Sequence, residues 1–86
     1  MTEEGGDVSL GVGVVGEKRR SRRPTPAELR VLECAMEGMT DREAATYLGV
    51  AHSTAKTQVV SAIRRVHALS RTHAVVICLR EGWLEL

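Results

Sequence analysis

Short polar and basic side chains recur along residues 53–64 at the three- and four-residue steps of a helix. No acidic residue occurs anywhere in residues 44–80. Hydroxyl, amide, ammonium and guanidinium groups can form hydrogen bonds with phosphate oxygens and with the edges of bases, and no carboxylate lies among them to repel the phosphates. The stretch therefore indicates contact with a nucleic acid. The polar and basic residues are Ser53, Thr54, Lys56, Thr57, Gln58 and Arg64, and the apolar Val60 lies among them.

Other reactive residues do not assemble into a site. Cys34, Cys78, His67 and His73 are the candidates for a metal, but no Cys-x-x-Cys or His-x-x-x-His pair anchors them. Both cysteines lie in apolar runs, and no secretion signal precedes them, so we predict reduced, buried thiols. The sequence predicts neither a metal nor a cofactor.

Patterns for catalysis are weaker still. Residues 11–16 fit Gly-x-Gly-x-x-Gly, but no strand is predicted before them and no helix opens after them. Neither paired carboxylates nor a Cys-His nucleophile arrangement stands out. We therefore expect that the protein is not an enzyme.

The length of 86 residues allows one domain with a small core. Only Tyr47 and Trp83 are aromatic, which argues against proteins that stack single-stranded bases on aromatic side chains. No apolar run is long enough to cross a membrane, and the chain opens with Glu3 and Glu4. We expect a cytoplasmic protein.

Two capping boxes predict where the first two helices begin. Thr25 with Glu28 starts a helix of about twelve residues at Pro26. Thr40 with Glu43 starts a short second helix. Gly38 and Gly49 end these helices, and Val50 is expected to fill the gap before the third helix. The buried side of the second helix is predicted to comprise Ala44, Ala45 and Leu48.

The third helix is longer, at about residues 52–67. Ala51 cannot cap it, so His52 or Ser53 is expected to be its first residue. Ser70 caps a fourth helix that runs to about Glu81, after which the chain folds back onto the core. A short helix, a glycine turn and a longer helix form a helix-turn-helix, whose second helix enters the major groove of double-stranded DNA. The predicted core face of the third helix is Ala55, Val59, Ala62, Ile63 and Val66, and the returning residues are Trp83 and Leu84.

The first 23 residues are glycine-rich and basic, and we predict that they are disordered. A strand through the alternating apolar residues 8–14 is the alternative. The five basic residues sit in one hexad, either as a solvated linker or as an arm that contacts DNA. Residues 24–86 hold seven basic and seven acidic residues, so the hexad would be the main attraction to phosphate. The arm residues are Lys18, Arg19, Arg20, Arg22 and Arg23.

With these elements placed, Pro24–Leu84 resembles the LuxR-type helix-turn-helix domain. The resemblance implies a four-helix, all-α bundle over residues 24–86, in which the third helix reads the major groove and the fourth forms a dimer contact. The preceding tail is too short for a receiver or ligand-binding domain, so a stand-alone domain is expected. The matching residues are Thr25, Pro26, Glu28, Val31, Leu32, residues 37–43, Ala45, residues 48–50, Thr54, Lys56, Thr57, residues 70–72, Ala74 and Val75.

The resemblance also implies roles for individual residues. Base contacts fall on Lys56, Thr57 and Val60. Phosphate contacts fall on Arg42, Ser53, Thr54, Gln58, Arg64 and Arg71. Six consecutive apolar residues in the fourth helix need a second surface to cover them, which is either a second copy of the chain or the chain's own ends. The residues expected at the dimer contact are Ala74, Val75, Ile77 and Cys78.

The chain departs from the family pattern in its third helix. Ala55 and Ala62 replace larger aliphatic residues, and His67 replaces a glycine, so this helix is expected to pack more loosely or to run longer. The exposed position of Val60 is commonly polar, although a valine can contact a thymine methyl group.

Two hypotheses about function follow. The first is a sequence-specific DNA-binding transcription regulator that acts as a homodimer. The second is a protein-binding module, similar to region 4 of sigma factors, that docks on RNA polymerase or another regulator. The neutral charge of residues 24–86, the apolar Val59-Val60 pair and the expected stand-alone size favour the second hypothesis.

Overall fold

Four helices follow one another in the computed structural model, which describes residues 21–86. The described part of the chain contains no strand, so the prediction of an all-α helix-turn-helix bundle is confirmed. The predictions of a disordered or strand-forming segment, and of arm residues Lys18, Arg19 and Arg20, fall outside the described residues. The helices are α1 (Pro26–Met36), α2 (Asp41–Leu48), α3 (His52–Val66) and α4 (Arg71–Arg80).

Both predicted capping boxes are present. The Thr25 side chain accepts a hydrogen bond from the Glu28 amide at 3.2 Å, and Glu28 Oε1 accepts one from the Thr25 amide at 2.9 Å. Thr40 and Glu43 repeat the arrangement at 3.1 and 2.9 Å. These reciprocal bonds satisfy amides that a helix start leaves unpaired, which is why local sequence sets where α1 and α2 begin.

Helix α3 begins at His52 without a side-chain cap, because Ala51 has no group that could accept a bond. It ends at Val66, since His67 takes the left-handed conformation with φ of 59°. The amides of His67 and Ala68 then donate to the carbonyls of Arg64 and Ile63, the hydrogen bonds of a Schellman cap. The expectation of a longer helix is therefore wrong, because the histidine adopts the turn for which the family uses glycine.

The last two carbonyls of α3 are satisfied by the residues that precede α1. Ser21 Oγ donates to the Val66 carbonyl at 2.7 Å, and the Arg22 amide donates to the Arg65 carbonyl at 3.1 Å. A buried helix end needs such partners for its carbonyls. The start of the described chain is thus attached to the carboxyl end of α3. The predicted tail boundary at residue 23 remains a prediction.

Relief of the strain at His67 is expected to stabilise the fold. His67→Gly should raise the free energy of unfolding by about 0.5–1 kcal/mol, because the strain of a left-handed residue exceeds the entropy cost of glycine. Urea denaturation followed by circular dichroism measures this, and His67→Ala is the matched control that keeps the strain. A less stable glycine variant would show that the imidazole itself makes a stabilising contact.

Two buried clusters hold the helices together. Ile63 of α3 packs against both of them. Leu84 is 4% exposed and Trp83 packs against the first cluster, so the predicted return of the chain after α4 is confirmed. The first cluster contains Leu32, Ala62, Val66, Ala74, Ile77, Cys78 and Leu84, and the second contains Val31, Ala45, Ala55 and Val59.

The α2–α3 corner differs from the prediction at one residue. Val50 is 37% exposed instead of filling the gap between the helices. Leu48, Ala55 and Val59 pack together there, so the space is already occupied. Ala55 and Ala62 are fully buried; looser packing of α3 remains a prediction.

Cys34 and Cys78 are free and buried, as predicted. Burial raises the pKa of both thiols, and the carboxylates of Glu33 and Glu37 add to the rise at Cys34. Among residues 21–86, no three His, Cys, Asp or Glu side chains are grouped to hold a metal ion. None of the described helices has the length and hydropathy that a membrane span requires.

Candidate nucleic-acid interface

The outer face of α3 is opposite its buried row of Ala55, Val59, Ala62 and Val66. With about 100° between successive residues, the positions farthest from that row lie within roughly 60° of one another. All of them are exposed, and α3 contains no acidic residue. A continuous strip of hydroxyl, methyl and guanidinium groups is therefore open for contact. This outer strip consists of Ser53, Thr57, Val60 and Arg64.

Lys56 lies at the edge of the outer strip. It is exposed, but its position is about 40° from Val60 and about 100° from Thr57 around the helix axis. The prediction that Lys56 projects from the middle of the groove-facing side stays a prediction. The salt bridges between described residues are Arg65 with Glu28 and Arg71 with Asp41, so Lys56 has no carboxylate partner among them.

Most of the predicted phosphate contacts are also open. Thr54 is exposed on the flank of α3, while Gln58 is half-buried. Arg42 is exposed in the first turn of α2, and its carbonyl accepts a hydrogen bond from Thr46 Oγ1 at 3.2 Å. These side chains supply donors beside the outer strip of α3.

Arg71 has a different environment from the one predicted. Its Nη1 lies 2.8 Å from Asp41 Oδ1, so the guanidinium joins the start of α4 to the start of α2. Its side chain is 39% exposed. A phosphate would have to compete with this carboxylate for Arg71, which makes Arg71 a weaker candidate than Arg64.

A second ion pair, which the sequence did not predict, fixes the carboxyl end of α3. Arg65 Nε and Nη2 lie 2.8 and 3.2 Å from the Glu28 carboxylate, which is also the capping group of α1. Burial of Glu28 favours a higher pKa. Hydrogen bonds from Arg65, the Thr25 amide and Ser61, together with the charge of Arg65, outweigh this effect and lower the pKa of Glu28 below its ordinary value.

Replacement of Glu28 by glutamine tests this pair. A lowered pKa in the folded state stabilises the fold above the unfolded-state pKa, and this stabilisation is lost as the pH falls through the folded-state pKa. Glu28→Gln should lower the free energy of unfolding by about 1–2 kcal/mol at neutral pH, because glutamine can cap but cannot pair as a charge. The difference should shrink on acidification below about pH 4.

Urea denaturation at stepped pH measures both effects. Glu33→Gln is the matched control, because Glu33 is exposed on the same helix and forms no salt bridge with a described residue. An equal loss of unfolding free energy in both variants would show that the ion pair between Glu28 and Arg65 does not stabilise the fold.

Helix α4 places most of the predicted dimer residues inside the monomer. Ala74 and Cys78 are fully buried and Ile77 is 8% exposed, all within the first core cluster. They cannot also form a dimer surface, and that part of the prediction is wrong. Val75 is half-buried, and Val76, which was not among the predicted contacts, is 42% exposed. The outward side of α4, here called the α4 strip, consists of Thr72, Val75, Val76, Leu79 and Arg80.

Part of this chain is similar in sequence to a known transcriptional activator. No protein-family model matches the chain. A segment of 60 residues, 70% of the chain, is 35% identical to the transcriptional activator protein BjaR1 of Bradyrhizobium diazoefficiens. The match covers 25% of that protein, so the chain spans about a quarter of the length of its relative. The similarity supports a LuxR-like helix-turn-helix domain.

Proposed function

We propose that this LuxR-like helix-turn-helix domain is a sequence-specific transcription regulator that inserts α3 into the major groove of double-stranded DNA. The observation that carries the proposal is the outer face of α3, which is exposed, rich in hydrogen-bonding groups and free of carboxylates. An α-helix fits the width of the major groove. The similarity to a protein named as a transcriptional activator supports the regulatory role.

Each exposed group has a chemical partner in the groove. Lys56 can donate to guanine O6 and N7, Thr57 can bond either base of a pair, and Val60 can contact a thymine methyl group. Hydroxyl and guanidinium groups around them are suited to phosphate oxygens, which set orientation without reading sequence. The proposed phosphate contacts are Arg42, Ser53, Thr54, Gln58 and Arg64.

Selection of bound sequences from a random duplex library tests the proposal. Enrichment of a defined half-site is expected, with affinity for the selected duplex about 100-fold or more above that for random DNA at physiological salt. Thr57→Glu is the control, since it places a carboxylate within the outer strip and should abolish enrichment. Equal affinity for selected and random duplexes would exclude sequence-specific reading.

The neutral charge of residues 24–86 and the 43% exposure of Val60 favour a second candidate function, docking on RNA polymerase or another regulator through α3. Its test is a binding measurement with purified RNA polymerase in the absence of DNA. Val60→Lys should remove that binding if the valine contacts protein.

We further propose a homodimer through the α4 strip, centred on Val76. The strip is apolar at Val75, Val76 and Leu79, and a symmetric contact along it would suit two half-sites about one DNA turn apart. Val76→Glu should convert a dimer into a monomer in sedimentation equilibrium, because it places two like charges at the contact. Val50→Glu is the matched control, as Val50 is a similarly exposed valine outside the strip. A wild-type protein that remains monomeric at high concentration would exclude this dimer.

A further inference from the structure

Two neighbouring depressions beside the corner where α1 passes into α2 share Glu37, Met39 and Tyr47, and together they form what is here called the corner groove. Among the residues assigned DNA contacts above, Arg42 is the one in its lining. Tyr47 stands in its wall with 71% of its surface exposed. The methionines and the leucine that line it are half-buried. An exposed tyrosine with adaptable methionine side chains is typical of surfaces that bind other proteins. The apolar lining of this corner groove consists of Met36, Met39, Tyr47 and Leu48.

Carboxylates surround the apolar lining. Four acidic residues line the groove, against two basic ones, Arg30 and Arg42. No acidic residue of the lining forms a salt bridge within residues 21–86. A rim with this excess of negative charge attracts cationic groups. The acidic residues are Glu33, Glu37, Glu43 and Glu85.

We propose that the corner groove binds a basic amphipathic helix of a partner protein. Leucine-like side chains at helical spacing would lie against Met39 and Tyr47, and lysines or arginines beside them would pair with the acidic rim. The residues 21–86 offer no strand edge to which a partner strand could be added. The interaction goes beyond DNA binding and does not require it.

The probe is a capped 18-residue peptide of leucine and lysine, with leucines at helical spacing, titrated into the full chain without DNA. Chemical shifts of backbone amides should change most at Met39, Tyr47 and Leu48. A second peptide, with glutamate in place of every lysine, should bind at least tenfold more weakly. Raising the salt concentration should weaken binding of the lysine peptide, because salt screens the exposed charge pairs between its lysines and the acidic rim.

Variants of the protein locate the site. Tyr47→Ala should lower the affinity for the lysine peptide about tenfold. Leu69→Ala should leave that affinity unchanged, because it truncates a side chain that is 91% exposed outside the groove. The double variant Glu33→Gln with Glu37→Gln should lower the affinity for the lysine peptide at least fivefold. Glu81→Gln should leave it unchanged, because Glu81 is an exposed acidic residue outside the groove. Affinity of the double variant for selected DNA should stay at the wild-type value, which separates this proposal from the proposed DNA-binding function.

Several results would overturn the proposal. Equal binding of the lysine and glutamate peptides, or equal weakening by Glu81→Gln, would show that the groove does not select a basic helix. Shifts centred on the α4 strip would assign the peptide to that surface instead. A tenfold gain in peptide affinity when Lys18, Arg19 and Arg20 are replaced by glutamine in the full chain would show that the chain's own basic segment occupies the groove.

Discussion

Lys56→Ala is expected to weaken binding to the selected DNA site by about 1–3 kcal/mol, or roughly 5- to 150-fold, while binding to random duplexes changes much less. The lysine is exposed at the edge of the outer strip and has no carboxylate partner among the described residues. Its ammonium group is therefore available to guanine O6 and N7 when α3 lies in the groove. Fluorescence anisotropy with both duplexes at one salt concentration measures the two losses.

Two further variants show whether the loss at Lys56 is one of base reading. Arg64→Ala is expected to weaken binding to selected and random duplexes alike, because a phosphate contact carries no sequence information. Arg30→Ala should change neither, since Arg30 is an exposed arginine of α1, outside α3. If Lys56→Ala weakens binding to selected and random duplexes equally, as expected for Arg64→Ala, then Lys56 contacts phosphate. Thr57 and Val60 would then be the residues that contact bases.

The sequence predicted the parts of the fold that depend on neighbouring residues. Thr25 with Glu28 and Thr40 with Glu43 are three residues apart, and each pair closes the same two hydrogen bonds. Gly49 supplies the positive φ that ends α2. Signals of this range depend on neighbouring residues and not on tertiary contacts, so the helix starts and the helix-turn-helix corner could be predicted from the chain.

Features that join distant parts of the chain were missed. Glu28 and Arg65 are 37 residues apart, and no spacing rule connects a capping glutamate with the last turn of another helix. Likewise, Ser21 is joined to Val66 across 45 residues. The apolar run of α4 covers every direction around that helix, so periodicity could not show that Ala74 and Cys78 would be the buried side. Packing against α1 and α3 decides that choice.

The hydrogen bonds of Ser21 and Arg22 attach the second half of the basic hexad to the helical bundle. Both residues bond to the carboxyl end of α3, which is ten residues, or about 15 Å along the helix, from Lys56. The Arg22 and Arg23 side chains are exposed there. We therefore expect that an arm extending from this point would contact the DNA backbone or the neighbouring minor groove when α3 is in the major groove.

Removal of residues 1–23 is expected to flatten the slope of log affinity against log salt by roughly 2–4 units per protomer, because each neutralised phosphate contributes about 0.9. Between 50 and 200 mM salt, this corresponds to a roughly 15- to 250-fold smaller change in affinity. The ranking of selected DNA sites should survive, because α3 remains. Titrations at four or more salt concentrations measure the slope.

The deletion also removes the bonds from Ser21 and Arg22 to α3, so a full-length variant must separate charge from anchoring. This variant carries glutamine in place of Lys18, Arg19, Arg20, Arg22 and Arg23. It keeps the Ser21 hydroxyl and the backbone amide of residue 22, which donate to the carbonyls of Val66 and Arg65. It should flatten the slope as much as the deletion does if the basic side chains contact phosphate. A full slope in the glutamine variant would show that the hexad touches no DNA, and any loss in the deletion would then come from the unpaired carbonyls at the end of α3.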